Sequence, residues 1–180
     1  SGLADPVWLY TKAAGDARRL THEALEPGAS LITAVGGDGT LHAVVNGMLG
    51  SSATLGLIPF GTGNDFARAV GLFGSLDNAC RAVAQGDTRR FDVGRIEGVG
   101  TDGLRHFLVL SGTGYDACTA RTVNEGIRYL SGAAAYVWGA LLTARRVQPF
   151  ALTLTLENGD VHRTQAMFVS VANTATTGGG

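Results

Sequence analysis

The sequence predicts a two-part α/β protein: a parallel α/β layer first, then a mainly antiparallel β half carrying a helical insert. Three observations lead there. "SLITAV" (Ser30–Val35) and "TLGLIP" (Thr54–Pro59) are continuous apolar runs, the pattern of parallel strands covered on both faces. Each is followed by a glycine turn and a helical stretch, so strand and helix alternate. After Thr88 the grammar changes to strand-like segments joined by short turns, "ENGD" (Glu157–Asp160) among them.

Taken in order, "PVWLY" (Pro6–Tyr10) reads as the first strand. "GDARRLTHEAL" has helical spacing, with Asp16 as a cap and Ala17, Leu20, Ala24 and Leu25 on one apolar stripe, and Pro27-Gly28 stops it. Thr40–Leu49 reads as a helix ended by Gly50. "FGTGNDFARAVGL" is a glycine turn, an Asn/Asp cap and a short helix. "SLDNACRAVAQG" is a helix capped by Ser75 and closed by Gly86. "RRFDVGRIEG", "LRHFLVLS" and "FALTLTLENGDVHRTQAMFVSVAN" read as strands, interrupted by a long helical insert from about Asp116 to Arg146. The change of grammar falls around Arg89–Asp92 without a Pro/Ser-rich linker. Residues 1–90 and 91–180 are therefore expected as two domains packed together. Both ends read as cut, and the β half is expected to be incomplete, because it has few strands to close a core.

Composition narrows the function. The 180 residues carry 14 Lys+Arg against 15 Asp+Glu, a formal net charge of −1, so a broad basic surface for nucleic acid is not expected. Cys80 and Cys118 lie far apart among apolar neighbours, which reads as a reducing compartment without a disulfide frame. The histidines are scattered with no H-E-x-x-H, so a zinc site is not expected. "LSGAAAYVWGALLTA" (Leu130–Ala144) is too short to span a bilayer.

The chemistry concentrates in two loops. "AVGGDGTLHAVV" places Gly36, Gly37, Asp38, Gly39 and Thr40 between a buried strand and a helix. Glycines let the backbone approach a ligand, and freed amides at a helix start favour an anion. A carboxylate there repels bare phosphate; Asp38 makes sense if it orients a hydroxyl or meets a divalent cation. "PFGTGNDFAR" repeats the logic with Gly61, Thr62, Gly63, Asn64, Asp65 and, one turn on, Arg68. Two such loops at the carboxyl ends of neighbouring strands are where ligands bind in open α/β sheets. No G-x-x-x-x-G-K-[ST] occurs, and the G-x-G-x-x-A spacing of Gly112, Gly114 and Ala117 lies in the antiparallel half, away from any βαβ unit.

"GGDGTLHAVVNGM", "LGLIPFGTGNDFARAVGL", "FDVGRI", "GTGYDA" and "VANTATTGGG" together resemble the diacylglycerol kinase catalytic domain family, which includes bacterial soluble lipid kinases and is related to sphingosine and ceramide kinases. GGDGT alone is shared with NAD kinases and 6-phosphofructokinases; its pairing with P-x-G-T-x-N-D-F-A-R is far more specific. The resemblance implies an N-terminal nucleotide-binding α/β domain of the NAD kinase and 6-phosphofructokinase type and a C-terminal β-sandwich. It implies that Gly37, Asp38, Gly39 and Thr40 line an ATP site, that Thr62 reaches the phosphates, and that Asp38, Asp65 and Asp92 belong to a magnesium–water network; the reading of the two loops adds Gly36, Gly61, Gly63 and Asn64 to the nucleotide site, and Arg68 as either a phosphate partner or a solvated helix charge. The activity it implies is transfer of the γ-phosphate of MgATP to the hydroxyl of diacylglycerol or a related lipid, in phospholipid metabolism. The implied partners are ATP, the lipid, a transient contact at the inner membrane surface of the cytoplasm, and a second copy of the chain in a homodimer. The general base is expected in an acidic segment beyond Gly180 and is left unassigned. An NAD kinase-like enzyme with a soluble acceptor and a non-catalytic nucleotide-binding module are the alternatives.

Other residues are read more plainly: His42 as a surface or satisfied histidine, Asp116 as a helix cap, Tyr136 and Trp138 as core, and Arg145 and Arg146 as a helix C-terminus.

Overall fold

A computed structural model describes residues 5–98, 104–114 and 148–175. In chain order these form α1 (Asp16–Leu25), β1 (Leu31–Gly36), α2 (Asp38–Met48), β2 (Thr54–Pro59), α3 (Asp65–Ala69), α4 (Leu76–Gln85), β3 (Gly94–Ile96), β4 (Arg105–Phe107), β5 (Leu110–Gly114), β6 (Phe150–Thr155), β7 (Val161–Ala166) and β8 (Phe168–Ala172). The chain divides into two units, one of residues 1–110 with 172–180 and one of residues 111–171.

In the first unit the two apolar runs pair in parallel, Leu31 opposite Thr54 and Gly36 opposite Pro59. The ladder continues one step further, since the Phe60 N–H donates to the Gly36 carbonyl at 2.8 Å. This register brings the two strands to the same level at their carboxyl ends, so the loops that follow start side by side. Leu41, Val44, Val45 and Met48 of α2 cluster with Ala34 of β1 and Leu57 of β2, and Phe66, Ala67 and Val70 complete the core. Each such large side chain contributes about 1.5–3 kcal/mol by leaving water. α1 crosses α2 where the Cβ of a larger residue at Gly47 would lie 2.9 Å from the Arg18 carbonyl. Ser75 accepts from the Asn78 N–H at 3.3 Å and Gly86 turns left-handed (φ 75°), so α4 begins and ends where its caps predict.

Several expectations are corrected. Pro6–Tyr10 carries the apolar and aromatic residues of a strand but forms no ladder, and its side chains are exposed, Val7 at 85%. Strand composition marks a segment that fits a pleated surface; it does not supply the partner edge. Asp16 is the first residue of α1 and not its cap: its carboxylate accepts from the N–H groups of Lys12 and Ala13 at 2.8 and 3.0 Å, closing the preceding turn. Those amides, and after them the Arg19 guanidinium, hold its carboxyl below the usual range. α2 starts at Asp38 rather than Thr40. Val35 is 47% exposed, so the face of β1 that carries it is only partly covered among the described residues. "RRFDVGRIEG" yields only β3, and "LRHFLVLS" splits into β4 and β5 at Leu108–Val109. The break has a cause: Asn173 takes the Val109 carbonyl with its N–H at 2.8 Å and the Leu108 carbonyl with its amide at 2.9 Å. Both carbonyls thus find donors, one a distant backbone N–H and one a side-chain amide.

A second asparagine ties the β3–β4 hairpin, paired antiparallel with Arg95 opposite His106, to α2. Asn46 Oδ1 accepts from the His106 N–H and Asn46 Nδ2 donates to the His106 carbonyl, both at 2.9 Å, so one carboxamide mimics a strand rung. Asn46→Ala leaves both backbone groups without these partners and is expected to lower stability by about 1–3 kcal/mol, read as a shift of the urea midpoint at unchanged slope.

In the second unit, β6 and β7 form the hairpin expected at "ENGD", with Phe150 opposite Ala166 and Thr155 opposite Val161. Gly159 (φ 88°) makes the turn, and the Asn158 side chain accepts from the Asp160 N–H at 3.0 Å. β5 pairs with β8. The expected helical insert, with Asp116, Ala117, Cys118, Tyr136, Trp138, Arg145 and Arg146, and the terminal glycines lie outside the described residues.

Candidate functional site

At the carboxyl ends of β1 and β2 the loops 36–40 and 60–64 meet backbone to backbone. A Cβ built on Gly61 would collide with the Gly37 Cα and lie 3.1 Å from the Gly37 nitrogen. Any side chain at either position would wedge the loops apart, which is the physical reason for glycine in both. A Cβ on Gly36 would meet Thr40 Oγ1 at 2.7 Å, so Thr40 is folded back under its own loop. Gly39 begins the exposed lip, and Thr62 lies exposed on the other loop.

Asp38 occupies the junction. It is the first residue of α2, whose N-cap is Gly37, and its hydrogen bond goes elsewhere. Its Oδ1 instead accepts from the Phe66 N–H at 3.4 Å, across the junction in α3. Its Oδ2 lies 2.9 Å from where a Cβ at Gly63 would be, so Gly63 leaves the room in which this carboxylate sits. Asp38 thus bonds across the junction to α3. Asn64 precedes α3 in the left-handed region (φ 53°, ψ 44°), and its Nδ2 donates to the Gly61 carbonyl at 2.6 Å. Its Oδ1 is buried without a hydrogen-bond partner among the described residues.

The sequence-derived candidates thus separate by place. Gly36, Gly37, Asp38, Gly39, Thr40, Gly61, Thr62, Gly63 and Asn64 belong to the two loops. Arg68 supports the second loop from behind: its Nε donates to the Gly63 carbonyl at 3.3 Å and its guanidinium stacks 3.4 Å over the Phe73 ring. Asp65 is the first residue of α3. Asp92 is exposed just before β3, with its carbonyl held by Asn173 Nδ2 at 2.8 Å. Among the described residues no three His, Cys, Asp or Glu side chains gather so as to hold an ion directly. Asp38, Asp65 and Asp92 are thus no three-carboxylate cage, and linkage through water is the form the resemblance implies.

Sequence reasoning missed three polar residues that organise the surroundings. Asn46, Asn173 and Arg89 each satisfy backbone carbonyls far away in sequence, Arg89 donating to the Val70 carbonyl at 2.9 Å. For Asn46 a signal existed: it and His42, four residues earlier, are the two polar side chains in the otherwise apolar stretch Leu41–Met48, and His42 Nε2 shares the His106 carbonyl at 2.9 Å. His42 is thus a satisfied surface histidine. A separate open groove of about 1260 Å³ in the same unit is lined by Leu55, Leu57, Phe66, Val70, Phe91 and Asp92 among others, and by none of residues 36–40 or 60–64.

A parallel α/β layer whose neighbouring strands end in touching glycine loops, with an acid at the contact, defines a class of protein: α/β domains that take an anionic ligand at the carboxyl edge of the sheet. Comparison with known proteins narrows the class. The diacylglycerol kinase catalytic domain matches residues 6–96, and the YegS C-terminal NAD kinase β-sandwich-like domain matches residues 109–180. The chain belongs to the diacylglycerol kinase catalytic domain family, with a β-sandwich-type second domain.

Among its relatives, a protein of Pseudomonas putida named "Probable lipid kinase YegS-like" is 33% identical over 186 residues, covering 99% of this chain and 60% of the relative. A protein of Bacillus subtilis named "Diacylglycerol kinase" is 32% identical over 172 residues, covering 94% and 54%. A crystal structure of a diacylglycerol kinase from Bacillus anthracis superposes with a TM-score of 0.65 at 27% identity, over 95% of this chain and 52% of that one. The chain spans little more than half the length of these relatives.

Proposed function

We propose that the protein carrying this chain is an ATP-dependent lipid kinase that passes the terminal phosphoryl group of ATP to a lipid hydroxyl, with diacylglycerol as the substrate class. The observation that carries the reading is the contact between the Gly37 and Gly61 backbones at the carboxyl ends of two parallel strands, with Asp38 between them. Two glycine loops in contact make one continuous surface of backbone donors, and phosphoryl transfer rests mainly on positioning and electrostatics of that kind. Gly36–Thr40 and Gly61–Asn64 are the ATP contacts in this reading, Thr62 among them through its exposed hydroxyl. Arg68 holds the second loop in place, and Asp38 is the carboxylate that meets the cation carried by the nucleotide. Because the acceptor hydroxyl sits at a lipid headgroup, the protein acts in transient contact with a membrane surface. Among the described residues no helix is long and apolar enough to cross a membrane.

The test is transfer of radiolabelled phosphate from ATP to diacylglycerol in detergent micelles by the full-length protein, with NAD as the competing acceptor. Labelled phosphatidic acid is the expected product. Labelled NADP, or label in no lipid at all, would overturn the reading.

A further inference from the structure

The carboxyl edge of the sheet carries exposed apolar side chains beside its glycine loops. Phe60, the first residue after β2, is 73% exposed, Phe73 43% and Leu76 47%. They belong to one place. Pro59, Asn64, Phe73, Gly74, Ser75 and Leu76 line a shallow hollow of about 170 Å³, so the turn that carries Phe73 lies against the foot of the second loop. Gly71 and Gly74 are both left-handed (φ 78° and 99°) and bend the chain on either side of Leu72-Phe73. Leu72 is drawn inward, its N–H donating to the Ala67 carbonyl at 2.8 Å and its side chain packing on the core, and Phe73 is left outside. The Arg68 guanidinium lies 3.4 Å over the Phe73 ring. Charge does not gather at this rim: Asp77, next to Leu76, is paired with Arg81 at 2.6 Å, and Asp38 and Asp65 stand on the neighbouring elements.

We propose that Phe60, Phe73 and Leu76 are the surface by which this edge docks on a lipid bilayer. They enter the boundary between headgroups and acyl chains, the depth at which aromatic rings are favoured and at which a lipid hydroxyl lies. This inference rests on the lipid kinase reading, since an acceptor held in a membrane requires the edge bearing the loops to face it. A second copy of the chain is the poorer occupant. Three partly exposed side chains offer far less than the roughly 800 Å² per partner that a stable interface buries. A surface without a cluster of cations is held by apolar burial, so it binds neutral lipid and is indifferent to salt.

The test is sedimentation of the full-length protein with phosphatidylcholine vesicles containing diacylglycerol, at about 0.1 M and about 1 M salt. The variant carries Phe60→Ser with Leu76→Gln; Phe73 is kept because its ring seats Arg68. The unsubstituted protein is expected to bind equally at both salt concentrations. The variant is expected to bind about 100-fold more weakly, about tenfold for each side chain. Its transfer to vesicle diacylglycerol falls in step, and transfer to a short-chain diacylglycerol dissolved as monomers is kept. Vesicle binding retained by the variant, or lost from the unsubstituted protein at high salt, overturns the docking surface and leaves the kinase standing. Equal loss of transfer to the monomeric lipid overturns it too, because the residues then serve the site itself. A change in oligomeric state on substitution assigns the patch to a second copy and overturns it likewise. Phe60→Trp is the reciprocal variant: binding is kept, and the added fluorescence is quenched by brominated phosphatidylcholine. Absence of that quenching contradicts insertion. Label in no lipid from the unsubstituted protein, with vesicle binding still dependent on the patch, overturns the kinase reading alone.

Discussion

Asp38→Ala is expected to reduce phosphate transfer about 100- to 1000-fold, the usual scale for removing a preorganised charged or polar group from an active site. The fold should hardly notice. The carboxylate makes one long hydrogen bond, 3.4 Å to the Phe66 N–H, so its loss costs about 1 kcal/mol or less. Activity measured with the micellar lipid assay, set against a urea unfolding curve, separates the two effects. A variant with near-normal turnover would remove Asp38 from the machinery and leave it as a tie between the loop and α3. A variant that unfolds would make the same carboxylate a structural element. Only a stable protein with collapsed activity fits the account.

Gly61→Ala should have an effect of similar size by a different route. The added methyl lands on the Gly37 backbone, which cannot retreat as a flexible side-chain end would, and lies 2.9 Å from Asn64 Oδ1. Separating the loops by a fraction of an ångström is expected to cost about 1–3 kcal/mol of stability through overpacking. The same displacement is expected to cost about 100-fold in transfer, since a misplacement near 1 Å has that effect on reactions that depend on positioning. Gly39→Ala is the matched control for the fold, because a Cβ there meets nothing within 4 Å. Its melting temperature should stay close to that of the parent protein. Equal losses of stability in the two variants would mean that the loops do not touch in solution as they do here.

Much of this arrangement can be read from local sequence, and the reasons are local. β1, β2 and α4 announce themselves because a continuous apolar run, a serine cap and a terminal glycine act within a few residues. The glycine loops are legible for the same reason: each lies where an apolar run stops. What local pattern does not contain is pairing at a distance. Pro6–Tyr10 has the composition of a strand and no ladder. "LRHFLVLS" reads as one strand until Asn173, more than sixty residues on, takes the Leu108 carbonyl and breaks it. Asn46 reads as a polar residue on a helix until His106 is folded against it. In the site, the candidate residues were legible but their division of labour was not. Arg68 looks like a phosphate ligand in sequence, and only its bond to the Gly63 carbonyl and its stacking on Phe73 show it bracing the loop. Asn64 looks like a cap, and only its left-handed backbone and unpaired oxygen set it apart.

Everything functional depends on the junction of the two loops being where the nucleotide sits, and amide chemical-shift mapping asks that question directly. On titrating the isotope-labelled protein with MgATP, the largest shifts should fall on the amides of Gly36–Thr40 and Gly61–Asn64. Shifts confined to the groove lined by Leu55, Val70 and Phe91, with the glycine amides silent, would contradict the account.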